Sequence, residues 1–539
     1  MQESALLDHH GLPISAQAIA DVRTSASLPA YQPAYDAGWY DKQETANWTA
    51  SGSSADVSIL PNRNIAANRV RDLLRNDPTA GAAIERLLDL VVGAGMTLCA
   101  TPDARALGIS PEEANELGRT MQSEWRLFGD DPRKFNDAQR RSSINAQFRL
   151  MARTLFALDE ATGVLTWREG HQRYSTCLLT IDPDRMSNPY GHIDTLTLRG
   201  GVEMDATYGE PLAYHIRNAH ATDWWSLGRS WTWTRVPRTT NWGRPVFIHA
   251  FEPTREGQTR GISAFASLIG RLKMLGKFRE NELGAAAINA LFAAFIESDL
   301  PPEDVAQRLA AATNISAGRE AFFDKALTHL EKYPVRVNGN RIPILPMGMK
   351  VNMNASPRQT ATYPAFERAF LNSFASRVGL SGEQLSMDWS QTNYSSARAA
   401  LNETWRTICR LSAIFVEQVV TPVYFSVMEE AFDKGYIKTP AGAPDFYEMP
   451  GAYLRANWIG PGRGYIDPVK EAEASSLRRA NKTSTLQREC ADQGLDYEAV
   501  LDQIAREEQE MKDRGISHEI PNNIGRSSDA QKDEVKETE

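Results

Sequence analysis

Apolar residues recur at three- and four-residue intervals over several long stretches of the chain, which indicates amphipathic helices. The first stretch covers about 62–92 and is interrupted at Asp77 and Pro78. Because proline breaks the helical hydrogen-bond ladder, two helices are predicted here, the second ending at Gly93. A further helical pair is predicted over about 111–157.

Between about 161 and 250 the period falls towards two, and turn signals recur at the spacing typical of β domains. The alternation of Trp231, Thr232 and Trp233 predicts a strand with both indoles on one face, and we expect that face to pack in the core. A β-rich domain between helical segments makes the chain an α+β protein.

Long helices are predicted after this domain. One begins at Ser263, a predicted N-cap, and a shorter one covers about 364–378. The longest runs from Ser396 to about 432 with one apolar stripe and a kink at Pro422. At about 50 Å it would exceed the needs of most globular domains, and such helices often pack side by side in bundles.

The C-terminal part predicts helices over about 469–480 and 484–512, the second broken near Gly494. Both ends of the chain differ in composition from the rest. Residues 1–58 mix small, polar and scattered aromatic residues and predict a peripheral arm, and the charged residues beyond 512 predict a disordered tail.

Composition and charge narrow the function. The 539 residues are too many for one compact core, and the net charge of -9 argues against a protein that grips nucleic acid through a basic surface. The absence of a long apolar run or a signal-peptide pattern predicts a soluble intracellular origin without a membrane span. The four scattered cysteines favour neither disulfides nor a zinc site.

The sequence contains only weak matches to catalytic, phosphate-binding or metal-binding motifs, so no catalytic residue, metal or cofactor is predicted. The glycines at 270 and 276 have the wrong spacing for a phosphate-binding loop and fall in a helical pattern. Asp182 and Asp184 could bind a cation, but a turn capped by aspartate explains them more simply. Ser263 lacks the second glycine of a nucleophile elbow, which leaves it as a helix cap.

Several collinear runs resemble the lambda family of tailed-bacteriophage portal proteins. The most specific is 379–405, which contains the sequence NYSSARAAL at 393–401. The other matching runs are 69–95, 181–185, 209–216, 255–263, 460–471 and 483–486. Together they cover about 60–500.

The resemblance implies a portal fold with long stem and spine helices, a β-rich wing, a small mixed clip and a helical C-terminal crown. Its division of the chain is an arm (1–58), wing (59–262), stem helix (263–297), clip (298–350), second stem helix (351–379), tunnel loop (380–395), spine helix and wing return (396–454), crown (455–512) and tail (513–539).

By this resemblance the chain is a subunit of a twelve-fold ring at one capsid vertex of the virion, assembled in the host cytoplasm. Double-stranded DNA would pass through it, and it would bind the terminase large subunit, head–tail adaptors, and the major capsid and scaffold proteins, without a membrane. The alternatives are a terminase-type packaging ATPase or nuclease, and a ring-forming adaptor that does not enclose DNA.

The resemblance also gives candidate site residues. The tunnel-loop groups expected to face DNA are Gln384, Ser386, Asp388, Gln391, Thr392, Asn393 and Tyr394. Most are neutral, so each contact with a phosphate would be brief, whereas a basic lining would hold the DNA. Possible DNA or subunit contacts are Arg69, Arg71, Arg75 and Arg398. The plainer alternative for the loop is a solvated helix connection. For Arg69, Arg71 and Arg75 it is a solvated helix face or ion pairs at a subunit interface.

Overall fold

The computed structural model describes residues 52–170, 172–291, 336–337, 340–341, 359–464 and 467–516. The predicted arm up to residue 51, nearly all of the predicted clip and the tail beyond 516 lie outside these ranges. The helices are α1 (Ala55–Asn76), α2 (Pro78–Val91), α3 (Ala104–Leu107), α4 (Pro111–Gly129), α5 (Ile144–Leu158), α6 (Leu227–Ser230), α7 (Ile269–Leu291), α8 (Gln359–Val378), α9 (Gly382–Ser386), α10 (Tyr394–Phe415), α11 (Thr421–Asp433), α12 (Pro450–Tyr453), α13 (Pro468–Ala480), α14 (Leu486–Asp492) and α15 (Tyr497–Asp513).

The strands form small antiparallel sheets. They are β1 (Thr97–Ala100), β2 (Ala161–Trp167), β3 (Thr176–Ile181), β4 (Leu198–Arg199), β5 (Val202–Met204), β6 (Pro211–Arg217), β7 (Trp233–Pro237), β8 (Phe247–Ala250), β9 (Arg336–Val337), β10 (Asn340–Arg341) and β11 (Ala456–Ile459). The sheet orders are β3-β2-β8 and β4-β5-β6-β7, with two-stranded pairs β1-β11 and β9-β10. The predicted α+β class and its β-rich segment are therefore confirmed.

The helix break predicted at Asp77 and Pro78 is confirmed. Asp77 caps α2, since its carboxylate accepts hydrogen bonds from the backbone N–H groups of Thr79 and Ala80, and Pro78 occupies the first turn, where no N–H is needed. The helix ends before Gly93, whose φ of +56° and close approach to Pro461 leave no room for a side chain.

One hydrophobic core joins the N-terminal helices to the spine. An aromatic cluster at its centre brings Trp125 of α4, Phe148 of α5 and Phe415 of α10 together with Tyr424 and Trp458. Because β1 pairs with β11, residues 97–100 and 456–459 form one ladder. The beginning of the predicted crown is thus built into the same body as the predicted wing.

The long helix predicted from Ser396 is confirmed as a continuous helical stretch from α10 to α11. At the position predicted for a kink it contains a π-helical segment, Val416–Val420, immediately before Pro422, where the proline lacks an N–H for the regular ladder. By length and composition this stretch could cross a membrane. Its apolar residues Phe415, Val423 and Val427 are instead fully buried in the protein core.

The two predicted stem helices pack against each other as an antiparallel pair. Phe278 of α7 stacks on Tyr363 of α8 with ring centroids 5.6 Å apart, and Arg279 pairs with Glu367. The prediction that Ser263 starts the long helix is wrong by six residues: Ser263 caps a short 3₁₀ turn, Ala264–Ser267, and α7 begins at Ile269. The glycines at 270 and 276 lie inside α7, as predicted.

The prediction for Trp231 is also wrong. Trp231 follows the short helix α6 and is 66% exposed, while Trp233 begins β7 and donates through its indole N–H to the Ser187 hydroxyl. The break arises because Thr232 bonds back to Arg229 and closes a turn, so the two indoles do not share a strand face.

Candidate functional site

Segment 380–395 contains a short helix at its start. Ser381 and Gln384 form a capping box for α9, in which each side chain bonds the backbone N–H of the other residue. Leu385 of this helix is buried in the main core. The first half of the segment is therefore a fixed structural element, and only its second half has the irregular form predicted for the whole loop.

Close packing holds the base of this segment between α8 and α10. A side-chain carbon on Gly379, whose φ is +82°, would lie 2.5 Å from a methyl carbon of Thr407. A side chain on Gly382 would overlap the amide of Asn372. The left-handed conformation favours glycine at position 379, a side chain at 382 would require Asn372 to move, and both contacts tie the segment to the helices on either side.

Several of the polar groups predicted to face DNA are used in local hydrogen bonds. Ser386 donates to the carbonyl of Gly382, and Asn393 accepts from the backbone N–H of Ser396 as the N-cap of α10. Gln384 is engaged in the capping box. The hydrogen bonds of these side chains therefore serve to fix the local conformation of the segment.

The exposed tip contains Asp388 and Gln391, with Thr392 half-buried behind them. Hydrogen bonds from Ser390 lower the pKa of the Asp388 carboxyl, and Arg368 of α8 lies 3.9 Å from it. Tyr394 is the first residue of α10. The tip therefore exposes one carboxylate among neutral side chains, including Met387, which suits brief contact with a polyanion better than tight retention.

The four candidate arginines separate into different environments. Arg71 binds both Asp182 and Asp184, and Arg398 lies 3.5 Å from Glu471 of α13. The exposed Arg69 and Arg75 lie on the solvent side of α1. Arg71 is thus paired within its own chain, whereas the predicted alternative to a DNA contact was an ion pair at a subunit interface.

Asp182 and Asp184 adopt the predicted turn. Asp182 accepts from the backbone N–H of Asp184 and starts a 3₁₀ turn at Pro183. The cation beside the two carboxylates is the Arg71 guanidinium. Among the described residues no group of three or more histidine, cysteine, aspartate and glutamate side chains could hold a metal ion.

A buried charge network that the sequence reasoning missed lies between α1, α5 and the β-rich domain. The Glu160 carboxylate is fully buried and contacts Arg63, Arg260 and His249. Arg260 also donates to the backbone carbonyls of Pro183, Met186 and Gly200. Although Glu160 is buried, the two guanidinium groups hold its pKa well below the ordinary value.

The sequence offered one indication of this network: the run 255–263, which resembles the family, contains Arg260 followed by Gly261. A side chain on Gly261 would overlap the backbone carbonyl of Asp159, the residue before Glu160. Ser263 donates to the carbonyl of Ala157 in the last turn of α5. The packing of Gly261 and Ser263 therefore positions Arg260. We attribute the resemblance of this run to the family to that packing.

Most of the chain is similar in sequence to known phage proteins. The family model described as phage portal protein, lambda family, matches residues 41–411. The chain is 32% identical over 478 residues to the portal protein of Escherichia phage N15 and 31% identical over 479 residues to portal protein B of Escherichia phage lambda. Each alignment covers 87% of this chain and 88% of the relative.

Solved structures with weak similarity come from gene transfer agent particles. The neck of an empty particle gives a TM-score of 0.36 at 13% identity, over 81% of this chain and 99% of that chain. The neck of the native particle, computed with C12 symmetry, gives a TM-score of 0.34 at 12% identity with the same coverage.

Proposed function

Because the chain belongs to the lambda family of phage portal proteins, we propose that twelve copies close into a ring at one capsid vertex and that double-stranded DNA enters and leaves through it. Family membership makes the chain a portal subunit, a structural component of the virion particle and not an enzyme. This membership is the observation on which the proposal rests.

The described elements support a conduit. The antiparallel pair α7 and α8 supplies a helical wall, and segment 380–395 connects α8 to the long spine helix. We assign DNA contact to the exposed Asp388 and Gln391 and, as neighbouring candidates in the sequence, to Thr392 and Tyr394. Gln384 and Asn393 take part in the N-caps of α9 and α10, and Ser386 bonds the Gly382 carbonyl and the Asp388 N–H, so these three residues hold the tip in position. The exposed Arg69 and Arg75 remain candidate contacts to packaged DNA or a neighbour.

The remaining partners follow from the family. The terminase large subunit and then the head–tail adaptors would bind the clip at 298–350, and the major capsid and scaffold proteins would surround the ring during assembly in the host cytoplasm. The described residues include only Arg336–Val337 and Asn340–Arg341 from the clip. No step of this proposal uses a cofactor.

Electron microscopy of the purified full chain tests the proposal. We expect closed rings with a central hole wide enough for a DNA duplex. A solid disc or an open filament would instead support a ring-forming adaptor or another assembly and would overturn the conduit. ATP hydrolysis by the purified chain would instead support the alternative of a terminase-type packaging ATPase.

A further inference from the structure

The last three helices of the described chain, α13 to α15, lie outside its main hydrophobic core. We call residues 467–516 the C-terminal unit and the described residues before 462 the body. None of the residues 467–516 belongs to the main core, and neither α13 nor α15 contains a buried residue. Hydrophobic burial, which usually fixes a helix on a protein, therefore contributes little to the docking of this unit.

Ion pairs join the start of α15 to helix α4 of the body. Arg126 lies 3.2 Å from Asp496, and Arg119 lies 3.4 Å from Glu498, to which Gln122 also donates at 3.3 Å. Both guanidinium groups are more than half exposed, so water and dissolved ions reach the pairs. An exposed ion pair contributes little on its own, and salt screens it.

A third ion pair joins the C-terminal unit to the spine helix. Arg398 of α10 lies 3.5 Å from Glu471 of α13 and is half exposed. Gln384 of α9 lines the same cleft as these two residues, so the pair lies beside the start of segment 380–395. While the unit is docked, Glu471 therefore neutralises one of the candidate DNA or subunit contacts.

The helices of the unit are tied more firmly to one another. Arg478 of α13 donates to both carboxylate oxygens of Glu489 on α14, at 2.9 and 2.7 Å. Such bidentate pairs are among the strong polar contacts in proteins, and Glu489 is buried. A short turn at Gly494, φ +77°, joins α14 to α15. We therefore expect the three helices to move together.

Two neighbouring residues in the connection to the unit pack against different partners. Pro461 packs on the body, since a side-chain carbon on Gly93 would lie 2.5 Å from its ring. Gly462 packs on the unit, where its own side-chain carbon would lie 2.5 Å from the carbonyl oxygen of Gln493. The boundary between the two parts thus falls between Pro461 and Gly462, and a change of backbone angles there would turn the unit as a whole.

A cleft of about 580 Å³ lies between α14 and the body. Trp405 of α10 and Trp458 of β11 line its body side, and Gln487 lines the side of the unit. Cys99 of β1 lies in this cleft and is 4% exposed, with the Gln487 amide donating to its sulfur at 3.2 Å. Movement of α14 would therefore uncover Cys99 without disturbing the packed core.

From these observations we infer that the C-terminal unit is a salt-sensitive latch. It docks through the three ion pairs, and when they are screened or broken it turns about the hinge at 461–462, uncovers Cys99 and releases Arg398. The closed form keeps Arg398 neutralised, whereas the open form offers this cation to a phosphate group or to a neighbouring subunit. The latch is a property of the single chain, so it does not depend on the proposed ring.

The labelling rate of Cys99 measures the open form. The purified full chain is treated with iodoacetamide in sodium chloride, and mass spectrometry of its peptides gives the rate for each cysteine. Between about 0.1 and 1 M salt the Debye length falls from about 10 to about 3 Å, and we expect Cys99 to react about fivefold faster. Cys177, fully buried on β3, reports general loosening and should not change. An unchanged Cys99, or an equal rise for both cysteines, would overturn the latch.

Variants compared at one ionic strength exclude a direct effect of salt on the thiol. Arg119→Gln combined with Arg126→Gln should raise the Cys99 rate at low salt towards the wild-type rate at high salt. Arg238→Gln combined with Arg514→Gln is the control, because it breaks two exposed ion pairs that do not join the unit to the body. Equal Cys99 rates in the two double variants would overturn the latch.

Charge reversal tests whether the unit moves as one body. Arg398→Glu places two carboxylates together and should speed the labelling of Cys99, although neither Arg398 nor Glu471 lines the Cys99 cleft. Adding Glu471→Arg restores opposite charges and should restore slow labelling. A slow single variant or a fast double variant would overturn the latch. Electron microscopy scores the ring separately, so rings without salt-dependent labelling would retain the proposed function and overturn the latch alone.

Discussion

Glu160 places a fully buried carboxylate where segments distant in sequence meet. Arg63 comes from α1, His249 from β8 and Arg260 from the segment before α7. Taking these charges out of water is costly, and only complete pairing compensates for that cost. The network therefore makes correct docking of the α1 helix onto the β-rich domain a condition for a stable subunit.

Arg260→Met keeps most of the side-chain volume and removes one partner of Glu160. We expect a loss of about 3–5 kcal/mol in the free energy of unfolding, because an under-compensated buried carboxylate remains. Urea denaturation of the full chain, followed by tryptophan fluorescence, measures it. The control Arg238→Met breaks the exposed pair with Glu210 and should cost under about 1 kcal/mol. Equal shifts in both variants would contradict the structural role of the network.

The buried carboxyl group of Asp159 predicts that the stability of the folded chain falls as the pH rises. Burial, with the nearby charges of Glu252 and Glu160, raises the pKa of Asp159 from 3.8 to about 8. The folded state therefore keeps a proton that the unfolded state releases. The stability contribution is complete below pH 3.8 and is lost progressively as the pH rises through about 8.

Asp159→Asn replaces the protonated acid with a neutral isostere, and asparagine tolerates the left-handed conformation at this position, φ +57°. We expect a flatter stability profile between pH 4 and 8 and a gain on the order of a few kcal/mol at pH 8. Denaturant titrations across this range measure it. Asp513→Asn, exposed at the end of α15, should leave the profile unchanged. An unaltered slope in Asp159→Asn would contradict the raised pKa.

At the scale of elements, segment 380–395 shows how a predicted loop acquires a defined form. Residues that favour turns also cap helices, because their side chains bond backbone N–H groups that a helix start leaves free. Here Ser381 caps α9 and Asn393 caps α10. The short exposed tip between the two caps is held at both ends.

Asn393→Ala removes the cap of α10 and should cost about 1 kcal/mol, felt mainly as fraying of the first helical turn. Hydrogen exchange of the amides at 394–397 should then be about fivefold faster. Asn393→Asp retains the acceptor and should exchange as the wild type does. Gln391→Ala, on the exposed tip, is the second control. If all three variants exchange alike, Asn393 does not act as a cap.

Helices and their irregularities were predictable where the sequence signal was local, as at the break at Asp77 and Pro78 or at the irregular turn before Pro422. The sequence also predicted the turn at Asp182. It could not show that Glu160 would meet Arg260, because one hundred residues separate them and only the folded topology brings them together. Trp231 was misassigned because a four-residue helix ends beside it and overrides the alternation.

At the scale of the whole molecule, the negative net charge would determine how strongly the proposed ring binds DNA. The net charge is -9 for each chain, so twelve copies in the proposed ring would carry twelve times that, -108. A duplex inside such a ring gains little from counterion release, since few fixed cations replace its condensed counterions. Weak attachment is what a conduit needs, because each strong contact would have to be broken at every step of movement.

Gln391→Lys therefore tests where the DNA passes. If the tip faces the duplex, twelve added ammonium groups would line one level of the channel and release counterions on contact. We expect DNA packaged in vitro to move more slowly and to withstand higher salt before it is released, while rings form normally. Gln509→Lys, on the exposed face of α15, adds the same total charge elsewhere and should change neither property. Identical salt dependence in the two variants would mean that the tip of 380–395 does not touch the DNA, since the charge would then act only through the average field of the ring.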